Sequence, residues 1–477
     1  MDATGSLAPE RRPAPPRLRN GDVSFWHTSL GSPVPRPALA APRHADVCVV
    51  GAGFTGLWTA YYLKRAAPHL EIVVLEERFS GYGASGRNGG FVMAALPGPA
   101  ARYAGDRGHD AVVAMQQCMI DTVDEVIRVA AREGIEADLV KGGYIRAAFT
   151  QTQLERQASA AESMRALGMG DTQLLSGAQL AERIQIHGAV GGLYTPHCAR
   201  VQPAKLVRGL ADAVEALGVT IYESTPVTRI APGRASTPAG DVEAPFILRA
   251  TEAYSARIAG LRRAILPLNS SMVATERLEP SFWDSVGWAG FETVSQASYA
   301  YAYMQRTADD RLAIGIAAHP ELYRFGSRTE NDGAAGPKAV ELLRRRVAQL
   351  FPTLAEHGGI EHAWSGVFGA PRDWCASVGL DHETGVAWAG GYAGHGVATA
   401  NLAGRTVRDL ILGEDTELVR LPWVGRPTRR WEPEPLRWIG AHVLNAAYRI
   451  ADEHEHRAGR ASPLAAIADK ISGVAPL

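Results

Sequence analysis

The most constraining feature of the chain is the segment DVCVVGAGFTGLWTAYYL, which occupies residues 46 to 63. Its first part, VCVV, is apolar and mainly β-branched, and such a run predicts a short strand buried on both faces. The part after the glycines has helical spacing, and Pro68 ends the predicted helix. A second apolar run, LEIVVLEE, predicts another buried strand. The order of strand, turn, helix and strand predicts a βαβ unit in a parallel sheet.

Within this unit, Gly51, Gly53 and Gly56 form a GxGxxG turn. The pattern is weak evidence alone, but here a predicted strand precedes it and a predicted helix follows it. The three glycines permit a tight turn, the approach of the backbone to a pyrophosphate, and close packing of the helix on the strand. Glu76 ends the second strand, where a carboxylate can accept hydrogen bonds from a ribose and disfavours a 2′-phosphate. The segment therefore predicts a dinucleotide-binding site rather than a nucleotide-free α/β turn.

Length and charge limit the remaining possibilities. A chain of 477 residues is long enough for roughly two to three domains. Its 49 Lys and Arg residues nearly balance its 50 Asp and Glu residues, so we expect a small-molecule ligand and neither nucleic acid nor a membrane as partner. The four cysteines form no CxxC pair, and no metal site is predicted. With no apolar signal segment at the N-terminus, the sequence predicts a soluble, cytoplasmic protein with reduced thiols.

The rest of the chain predicts a second kind of architecture beside the βαβ unit. Helical spacing extends over 110–140 and 151–186. Alternating residues between 285 and 330, as in ASYAYAYMQRT, predict an antiparallel sheet. The segment 386–413 then repeats the order of strand, glycine-rich loop and helix. The predicted fold class is α/β, with a second domain of α+β construction.

At this point the sequence resembles the D-amino-acid-oxidase-like family of FAD-dependent amine and amino-acid oxidoreductases, and within it the γ-glutamylputrescine-oxidase-like branch. The resemblance covers roughly residues 22 to 460. Its most specific segments are the first, second and last of five: VVGAGFTGLWTAYYL, GASGRNGGF, GGLYTPHCARVQPAKLVRGLA, YAYMQRTADDRLAIG and WAGGYAGHGVATANLAGRT. It implies a Rossmann-like FAD-binding domain of glutathione-reductase type, discontinuous in sequence, and a substrate domain built on a mixed or antiparallel sheet plus helices.

The resemblance also implies a division of the chain into domains. Residues 1–44 would form an N-terminal arm, and 414–477 a C-terminal helical tail. The FAD-binding domain would comprise 45–100, 190–262 and 355–413. The substrate-binding domain would comprise 101–189 and 263–354.

The family pattern places FAD, without a covalent link, on a set of positions in the glycine turn, the acidic strand end, the loop after it, two later strand ends and the C-terminal loop. These are Gly51, Gly53, Phe54, Thr55, Gly56, Glu76, Glu77, Arg78, Gly83, Ala84, Ser85, Gly86, Arg87, Asn88, Gly89, Gly90, Val227, Ala250, Thr251, Gly391, Gly394, His395, Gly396, Val397 and Ala398. Ala253 stands where the family usually has glycine, which weakens the match at that strand end. The loop containing Gly391 would bring a helix N-terminus to the flavin, where a positive dipole stabilises the anionic reduced ring.

Candidates for the catalytic site come from the same segments: Arg87, Tyr301, Tyr303, Phe368, Tyr392 and His395. Tyr299, Tyr301 and Tyr303 alternate along a predicted strand, so they share one face that is either a pocket wall or a packed core. His395 lies between two glycines, and either a structural or a flavin-facing role fits it. Trp364 has the character of a core residue. Arg87 lies inside the glycine loop, which favours a functional role over a surface charge.

Two departures from the family bear on the substrate and the electron acceptor. Relatives that oxidise amino acids have an arginine just after a WxG motif to bind the substrate carboxylate, but Phe368 takes that position here, with Arg372 four residues on. Relatives of the sarcosine-oxidase type have an oxygen-activating lysine where this chain has Ala313. Cys375, in RDWCAS, is a candidate for a covalent flavin link, but the surrounding spacing does not match the relatives that have one, so a non-covalent FAD is expected.

The expected activity is FAD-dependent oxidation of the C–N bond of a small amine or amino-acid-derived substrate by hydride transfer to the flavin, which O2 or another acceptor reoxidises. A flavin monooxygenase fits less well, because the C-terminal loop has no GD segment and no second GxGxxG is present. A non-catalytic flavin-binding subunit is the remaining alternative. The enzyme is expected to be a monomer or a homodimer.

Overall fold

The computed structural model describes residues 18–31, 33–329 and 332–473. Within these ranges the strands are β1 Arg19–Asn20, β2 Arg43–His44, β3 Val47–Val50, β4 Ile72–Leu75, β5 Phe91–Met93, β6 Tyr144–Ala148, β7 Gln173–Ser176, β8 Gly191–Thr195, β9 Cys198–Arg200, β10 Thr220–Tyr222, β11 Arg229–Ala231, β12 Arg234–Thr237, β13 Gly240–Glu243, β14 Phe246–Arg249, β15 Leu266–Thr275, β16 Thr293–Gln296, β17 Ala302–Arg306, β18 Leu312–Ile316, β19 Ile360–Ala370, β20 Ser377–Asp381 and β21 Val386–Gly390.

The α-helices in the same ranges are α1 Phe25–Thr28, α2 Phe54–Ala66, α3 Ala100–Arg107, α4 His109–Arg132, α5 Gln151–Ala166, α6 Gly177–Ala181, α7 Pro203–Ala216, α8 Pro280–Val286, α9 Pro337–Leu350, α10 Leu354–His357, α11 Gly396–Leu412, α12 Leu436–Ala458 and α13 Pro463–Ser472. Short 3-10 helices occupy Ala84–Gly86, Glu252–Arg257 and Leu418–Arg420.

The predicted βαβ unit forms the centre of a six-stranded sheet with the order β10-β4-β3-β14-β21-β20. Its strands are parallel except β20, which runs antiparallel to β21. Every residue of β3 and β4 is buried, because helices cover one face and a small sheet covers the other. Helix α2 packs against α11, so the first and the last glycine-loop helices lie side by side. Parallel strands end at one edge of a sheet, and the loops after β3, β4, β14 and β21 therefore meet there.

The second large sheet has nine strands in the order β1-β19-β15-β18-β17-β16-β6-β8-β7. The region predicted to alternate contributes β16, β17 and β18, which pair antiparallel as expected. Strand β16 also pairs with β6, and that pairing is parallel, so the sheet is mixed. One face of the sheet packs on α8, α9 and α6 to form a separate hydrophobic core.

Two predicted helices differ from the structure. The helix predicted over 110–140 ends at Arg132, because Gly134 has a positive φ of 64° that an α-helix does not allow. The helix predicted over 151–186 is two helices, α5 and α6, separated by β7. Gly168 lies between them with φ +92°, and the chain turns back there to add β7 beside β8.

The predicted tyrosine stripe is also shorter than expected. Strand β17 begins at Ala302, so Tyr299 and Tyr301 both lie before it. The Tyr299 ring stacks on Tyr448 of α12 at 5.7 Å and lies under the Arg156 guanidinium at 4.7 Å. The prediction that three tyrosines share one strand face is therefore wrong, because Tyr303 alone lies on the strand. Tyr301 nevertheless lines the same cavity as Tyr303, whereas Tyr299 packs on α12.

A helix that crosses a membrane must be both long enough and apolar enough. In the part of the chain that the structure describes, no helix meets both requirements.

Candidate active site

A single cavity of about 640 Å³ extends from the carboxyl ends of the parallel strands to one face of the nine-stranded sheet. At one end its wall contains the glycine turn, Glu76 and Val227. At the other end it contains side chains from β6, β16 and α5. Cavities of about 300–1,000 Å³ are typical of small-molecule and cofactor sites. We call the first part the nucleotide end and the second part the sheet end.

The glycine turn at the nucleotide end leaves no room for side chains. Gly51 has φ +109°, and a Cβ atom there would lie 2.7 Å from the carbonyl oxygen of Ala250. A Cβ atom on Gly56 would lie 2.0 Å from the carbonyl oxygen of Gly51. Helix α2 begins beyond Gly53 without a capping side chain from that residue, and the Phe54 amide donates to Ser85 Oγ at 2.8 Å. An uncapped helix N-terminus at a cavity wall is suited to bind phosphate.

The Glu76 carboxylate is fixed by two backbone amides. Ala52 N–H donates to Oε2 at 2.9 Å, and Arg78 N–H donates to Oε1 at 3.0 Å. Desolvation nevertheless raises the pKa of Glu76 to about 7, against these hydrogen bonds. The Glu77 carboxylate pairs with Arg257, and the Arg78 guanidinium lies over the Tyr82 ring at 4.8 Å. Glu76 therefore presents the carboxylate that a ribose hydroxyl requires, while its two neighbours have partners of their own.

The loop 83–90 is an ordered segment held from outside the cavity. Three successive carbonyls, those of Gly86, Arg87 and Asn88, each accept a hydrogen bond from a buried side chain. The donors are Ser24 Oγ at 2.8 Å, Trp364 Nε1 at 2.9 Å and Trp26 Nε1 at 2.9 Å, in that order. Because the segment around α1 supplies two of the three donors, the region before the first strand of the parallel sheet is part of the site's support.

Arg87 occupies the inner side of this loop and is almost fully buried. Its Nε donates to the Tyr82 carbonyl at 2.7 Å, and its guanidinium lies over the Tyr82 ring at 4.2 Å. Nη2 is buried and has no hydrogen-bond partner among the described residues. The position is that of a fixed positive charge in the cavity wall rather than a surface arginine.

The C-terminal loop contributes Tyr392 and His395 to the cavity wall. The Tyr392 hydroxyl and the Thr55 hydroxyl lie 2.9 Å apart, which joins this loop to the first turn of α2. Desolvation, and to a smaller extent the charge of Arg146, lower the pKa of His395 to about 4. The His395 imidazole is therefore neutral at pH 7.

Tyr303 and Tyr301 line the cavity where the loop meets the large sheet. The Tyr303 ring lies between two glycines, since Cβ atoms on Gly89 and Gly315 would lie 2.7 Å and 2.3 Å from it. Its hydroxyl is 2.7 Å from Ser270 Oγ. The ring of Tyr301 lies 6.3 Å from that of Tyr303, and burial raises the pKa of both phenols.

Most of the predicted site residues line this one cavity. They are Gly51, Gly53, Phe54, Thr55, Glu76, Glu77, Arg78, Gly83, Ala84, Ser85, Arg87, Asn88, Gly89, Val227, Ala250, Thr251, Tyr301, Tyr303, Phe368, Tyr392, Gly394, His395, Gly396 and Val397. Five others, namely Gly56, Gly86, Gly90, Gly391 and Ala398, lie behind the wall. Four of these are glycines that let other residues approach: a Cβ atom on Gly86 would meet His27 at 2.2 Å, and one on Gly391 would meet Pro371 at 2.4 Å.

Several other residues that the sequence analysis named lie away from the cavity. Trp364 and Ala313 belong to a small core with Phe25 and Trp26. Cys375 is buried, and desolvation raises the pKa of its thiol to about 12. All four cysteines are free, and none lines the cavity. Arg372 pairs with Glu432 at 3.0 Å, so it is not an unpaired cation near Phe368.

Three cavity residues had no signal in the sequence. Glu252 accepts hydrogen bonds from the Gly369 amide at 2.5 Å and the Gly391 amide at 3.2 Å, and so ties two loops together. It follows the β14 strand end, where the only anomaly visible in the sequence was the adjacent Ala253. Arg146 on β6 and Gln157 on α5 lie at the sheet end. They belong to no glycine motif. The pairing of β6 with β16 brings Arg146 to the site, and the packing of α5 on β6 and β8 brings Gln157 there.

The residues present at the nucleotide end fit the ADP half of FAD. The glycine turn, the uncapped start of α2 and the Glu76 carboxylate supply, respectively, backbone approach, phosphate donors and a ribose acceptor. The loop 83–90 and the C-terminal loop extend the wall toward the sheet end, where a flavin ring would be held.

Comparison with known proteins gives the same result for the fold and the cofactor. Residues 46–410 match the family described as FAD dependent oxidoreductase (DAO). The Haemophilus influenzae protein named "Probable oxidoreductase OrdL" is 29% identical over 83% of this chain and 89% of its own length. The γ-glutamylputrescine oxidoreductase of Escherichia coli is 29% identical over 90% of this chain and 98% of its own length.

Among solved structures, glycine oxidase from Geobacillus kaustophilus superposes with a TM-score of 0.64 at 22% identity, over 78% of this chain and 96% of that one. This likeness confirms the expected fold class. The match in sequence covers most of the chain, and the cavity holds the residues that the cofactor requires. The chain therefore belongs to the DAO family of FAD-dependent oxidoreductases.

Proposed function

We propose that the protein oxidises the C–N bond of a small amine or amino-acid-derived substrate. The observation that carries the proposal is the continuity of the cavity, whose wall includes both the nucleotide end and a group of tyrosines with a neutral histidine. A substrate at the sheet end would lie against a flavin whose ADP half occupies the other end. The names of two similar proteins, γ-glutamylputrescine oxidoreductase and glycine oxidase, support a substrate of this class.

The side chains of the sheet end suit an amine. The faces of Tyr301 and Tyr303 attract a cationic nitrogen by about 0.5–2 kcal/mol, so they can bind the substrate in its protonated form. His395 is uncharged at neutral pH and does not repel that cation. Its imidazole nitrogen can accept a hydrogen bond from the substrate nitrogen without taking up the proton.

When bound, FAD supplies the two-electron acceptor that takes a hydride from the carbon bearing the nitrogen. Arg87, held on Tyr82 and the loop carbonyls, would add a fixed positive charge beside the cofactor. Such a charge, together with the start of α11, stabilises the negative charge of a reduced flavin. The catalytic contribution of the chain is then positioning and electrostatics rather than a strong base.

The proposal includes O2 as the final acceptor, which would yield hydrogen peroxide. A second candidate is a dehydrogenase that passes electrons to another acceptor. One observation favours it, since no lysine lines the cavity within the described residues and Ala313 lies in the core behind it.

The test is an anaerobic screen in which the purified yellow protein is mixed with amines, N-methyl amino acids and α-amino acids. Bleaching of the flavin absorbance by an amine is the expected result, followed by peroxide formation when air is admitted. Bleaching without peroxide, and with reoxidation by a dye, would establish the dehydrogenase. Flavin that stays oxidised with every compound would contradict the proposal and favour a non-catalytic subunit.

A further inference from the structure

Arg146 lies in the middle of β6, at the sheet end of the cavity. Along this strand, Ile145 and Ala147 point into the core on one side, so Tyr144 and Arg146 point to the other side. Arg146 is in register with Leu193 on β8 and with Ser295 on β16, and both of these residues line the same cavity. The backbone therefore directs the guanidinium toward the cavity.

The Arg146 guanidinium forms no hydrogen bond or ion pair within residues 18–31, 33–329 and 332–473. The acidic residues of the cavity wall lie at the nucleotide end and are Glu76, Glu77 and Glu252. Two other arginines near the site have carboxylate partners, Arg257 with Glu77 and Arg372 with Glu432, whereas Arg87 is held by the carbonyl and the ring of Tyr82. A half-buried cation without a counter-charge costs free energy, which an anionic ligand would offset.

Gln157 supplies a second and independent observation at the same end. It is fully buried on α5, lines the cavity, and has no hydrogen-bond partner for either its side-chain oxygen or its nitrogen. Buried side-chain amides are nearly always hydrogen-bonded in folded proteins, so a ligand or water is needed to complete this one. Helix α5 packs on β6, which bears Arg146, and on the neighbouring strand β8.

The neighbours of Arg146 are polar groups that suit an oxyanion and its connecting chain. The Tyr144 hydroxyl and Ser295 Oγ lie 2.5 Å apart and border the Arg146 position on the sheet. Arg146 and His395 both line this cavity, and the charge of Arg146 adds to desolvation, the larger cause, in lowering the pKa of His395. A ligand could thus contact Arg146 and approach His395 at once.

We propose that the substrate carries a carboxylate separated from the reacting amine by several bonds, and that Arg146 binds this carboxylate while Gln157 hydrogen-bonds the chain between the two groups. The proposal rests on the proposed function and names its substrate class, an ω-amino carboxylate. It also accounts for Phe368 in the position where relatives that oxidise amino acids have an arginine. Arg372, the arginine that follows Phe368 along the chain, is paired with Glu432, and among the described residues Arg146 is the only arginine that a strand of the large sheet contributes to the cavity wall.

The first experiment compares two substrates that differ only in charge, N-succinylputrescine and N-acetylputrescine, by anaerobic flavin bleaching with the holoenzyme. We expect the succinyl compound to have the higher kcat/KM, by about 10- to 100-fold, because a charged hydrogen bond replaces a neutral contact. Arg146→Met should lower the rate with the succinyl compound more than the rate with the acetyl compound, and so abolish this preference. Arg146→Lys should restore part of the preference, since a point charge replaces the bidentate guanidinium.

The matched control is Arg372→Met, which removes a second arginine that pairs with Glu432 outside the cavity. It should leave the preference for the succinyl compound intact. Equal rates with the two compounds in the wild type would overturn the proposal. So would an equal loss on both compounds in Arg146→Met, since that pattern indicates an effect on the flavin or the fold.

A binding measurement separates this proposal from the proposed function. Pentanoate and pentanamide contain no amine to oxidise, and their binding is followed by the change in absorbance of the oxidised flavin. Pentanoate should bind the wild type at least about 10-fold more tightly than it binds Arg146→Met, while pentanamide should not distinguish the two. If no amine bleaches the flavin but this difference appears, the proposed function fails and the anion site stands. If amines bleach the flavin and pentanoate binds both proteins equally, the proposed function stands and the anion site fails.

Discussion

The two ends of the cavity are built in different ways. The nucleotide end consists mainly of backbone: glycines whose missing Cβ atoms leave space, amides at the start of α2, and one carboxylate fixed by two amides. The sheet end consists of side chains from β6, β16, β17 and α5 that lie far apart in the sequence. A backbone site accepts few substitutions, whereas a side-chain site can change its ligand without changing the fold. The first end therefore preserves the cofactor, and the second can set the substrate.

The largest effect is expected from a side chain in the glycine turn. Gly56→Val places a Cβ atom where it would lie 2.0 Å from the Gly51 carbonyl and 2.9 Å from the Val49 side chain. Neither the carbonyl nor the strand can move without opening the βαβ unit, so we expect a loss of at least about 4 kcal/mol and protein that is insoluble or colourless. Expression yield and flavin content measure the result.

Gly105→Val is the matched control, because Gly105 lies within α3 and has nothing within 4 Å of an added Cβ atom. It should cost no more than about 1 kcal/mol and leave the protein yellow. A yellow Gly56→Val protein of wild-type stability would show that the backbone at the nucleotide end can move to admit a side chain.

The second effect concerns pH. In the protein without FAD, burial raises the pKa of Glu76 from 4.5 to about 7, whereas it lowers the pKa of His395 from 6.5 to about 4. Between pH 4.5 and 7 the folded state holds the Glu76 proton that the unfolded state has lost, so this group makes the free energy of unfolding fall as pH rises. His395 acts in the opposite direction between pH 4 and 6.5, because there the unfolded state binds the additional proton.

A difference between two proteins isolates the Glu76 contribution. Glu76→Gln has no charge to desolvate, so relative to the wild type the apoprotein variant should gain stability as pH rises from 5 to 8, by at most about 3 kcal/mol. Its affinity for FAD should be lower than that of the wild type, because an amide is a weaker hydrogen-bond acceptor for the ribose than a carboxylate. Urea unfolding of both apoproteins at several pH values gives the difference. A difference that does not vary with pH, or that shrinks as pH rises, would contradict the assignment.

The contrast between the ends also explains what the sequence could reveal. Gly51, Gly53, Glu76 and the loop 83–90 are readable because local conformation dictates their residue types and spacing. Local residue types and spacing do not reveal Arg146, because its position depends on the parallel pairing of β6 with β16, which lies about 150 residues away in the sequence. The helical composition of 151–186 also conceals the end of α5, because the single interruption is Gly168, whose positive φ only the structure reveals.

The division of the chain into FAD-binding and substrate-binding domains stays a prediction, and so do the catalytic roles assigned to Tyr301, Tyr303 and His395. Their positions in the cavity follow from tertiary structure, but position alone does not distinguish a substrate contact from a packed wall. Tyr299 illustrates the difference, since the same alternating pattern includes it while its ring stacks on α12.

The third effect concerns a side chain added at the sheet end of the cavity. In Gly315→Ala the added Cβ atom would lie 2.3 Å from Cζ of Tyr303, which is a side chain and can rotate away. We expect a cost of about 1–3 kcal/mol, normal flavin content, and a changed KM for amines because the Tyr303 ring leaves its place between the two glycines. Flavin content and bleaching rates measured together test this. Loss of FAD in this variant would show that the two ends are not separable.

The smallest effect is expected at the outer support of the loop. Ser24→Ala removes the hydroxyl that donates to the Gly86 carbonyl, and leaves the two tryptophan donors to the next carbonyls in place. Because the carbonyl is buried and loses its partner, we expect a cost of about 1–2 kcal/mol in the holoenzyme. FAD should also dissociate several-fold faster, since the loop that lines the cavity is held at one point fewer.

Thr28→Ala is the matched control, because the Thr28 hydroxyl donates only to the Phe25 carbonyl within α1. It removes a hydroxyl from the same helix without touching the loop, so FAD dissociation should keep its wild-type rate. Equal dissociation rates in Ser24→Ala and Thr28→Ala would mean that α1 supports the fold and not the cofactor loop. A faster rate in Ser24→Ala alone would extend the nucleotide end to a segment that lies before the first strand of its own sheet.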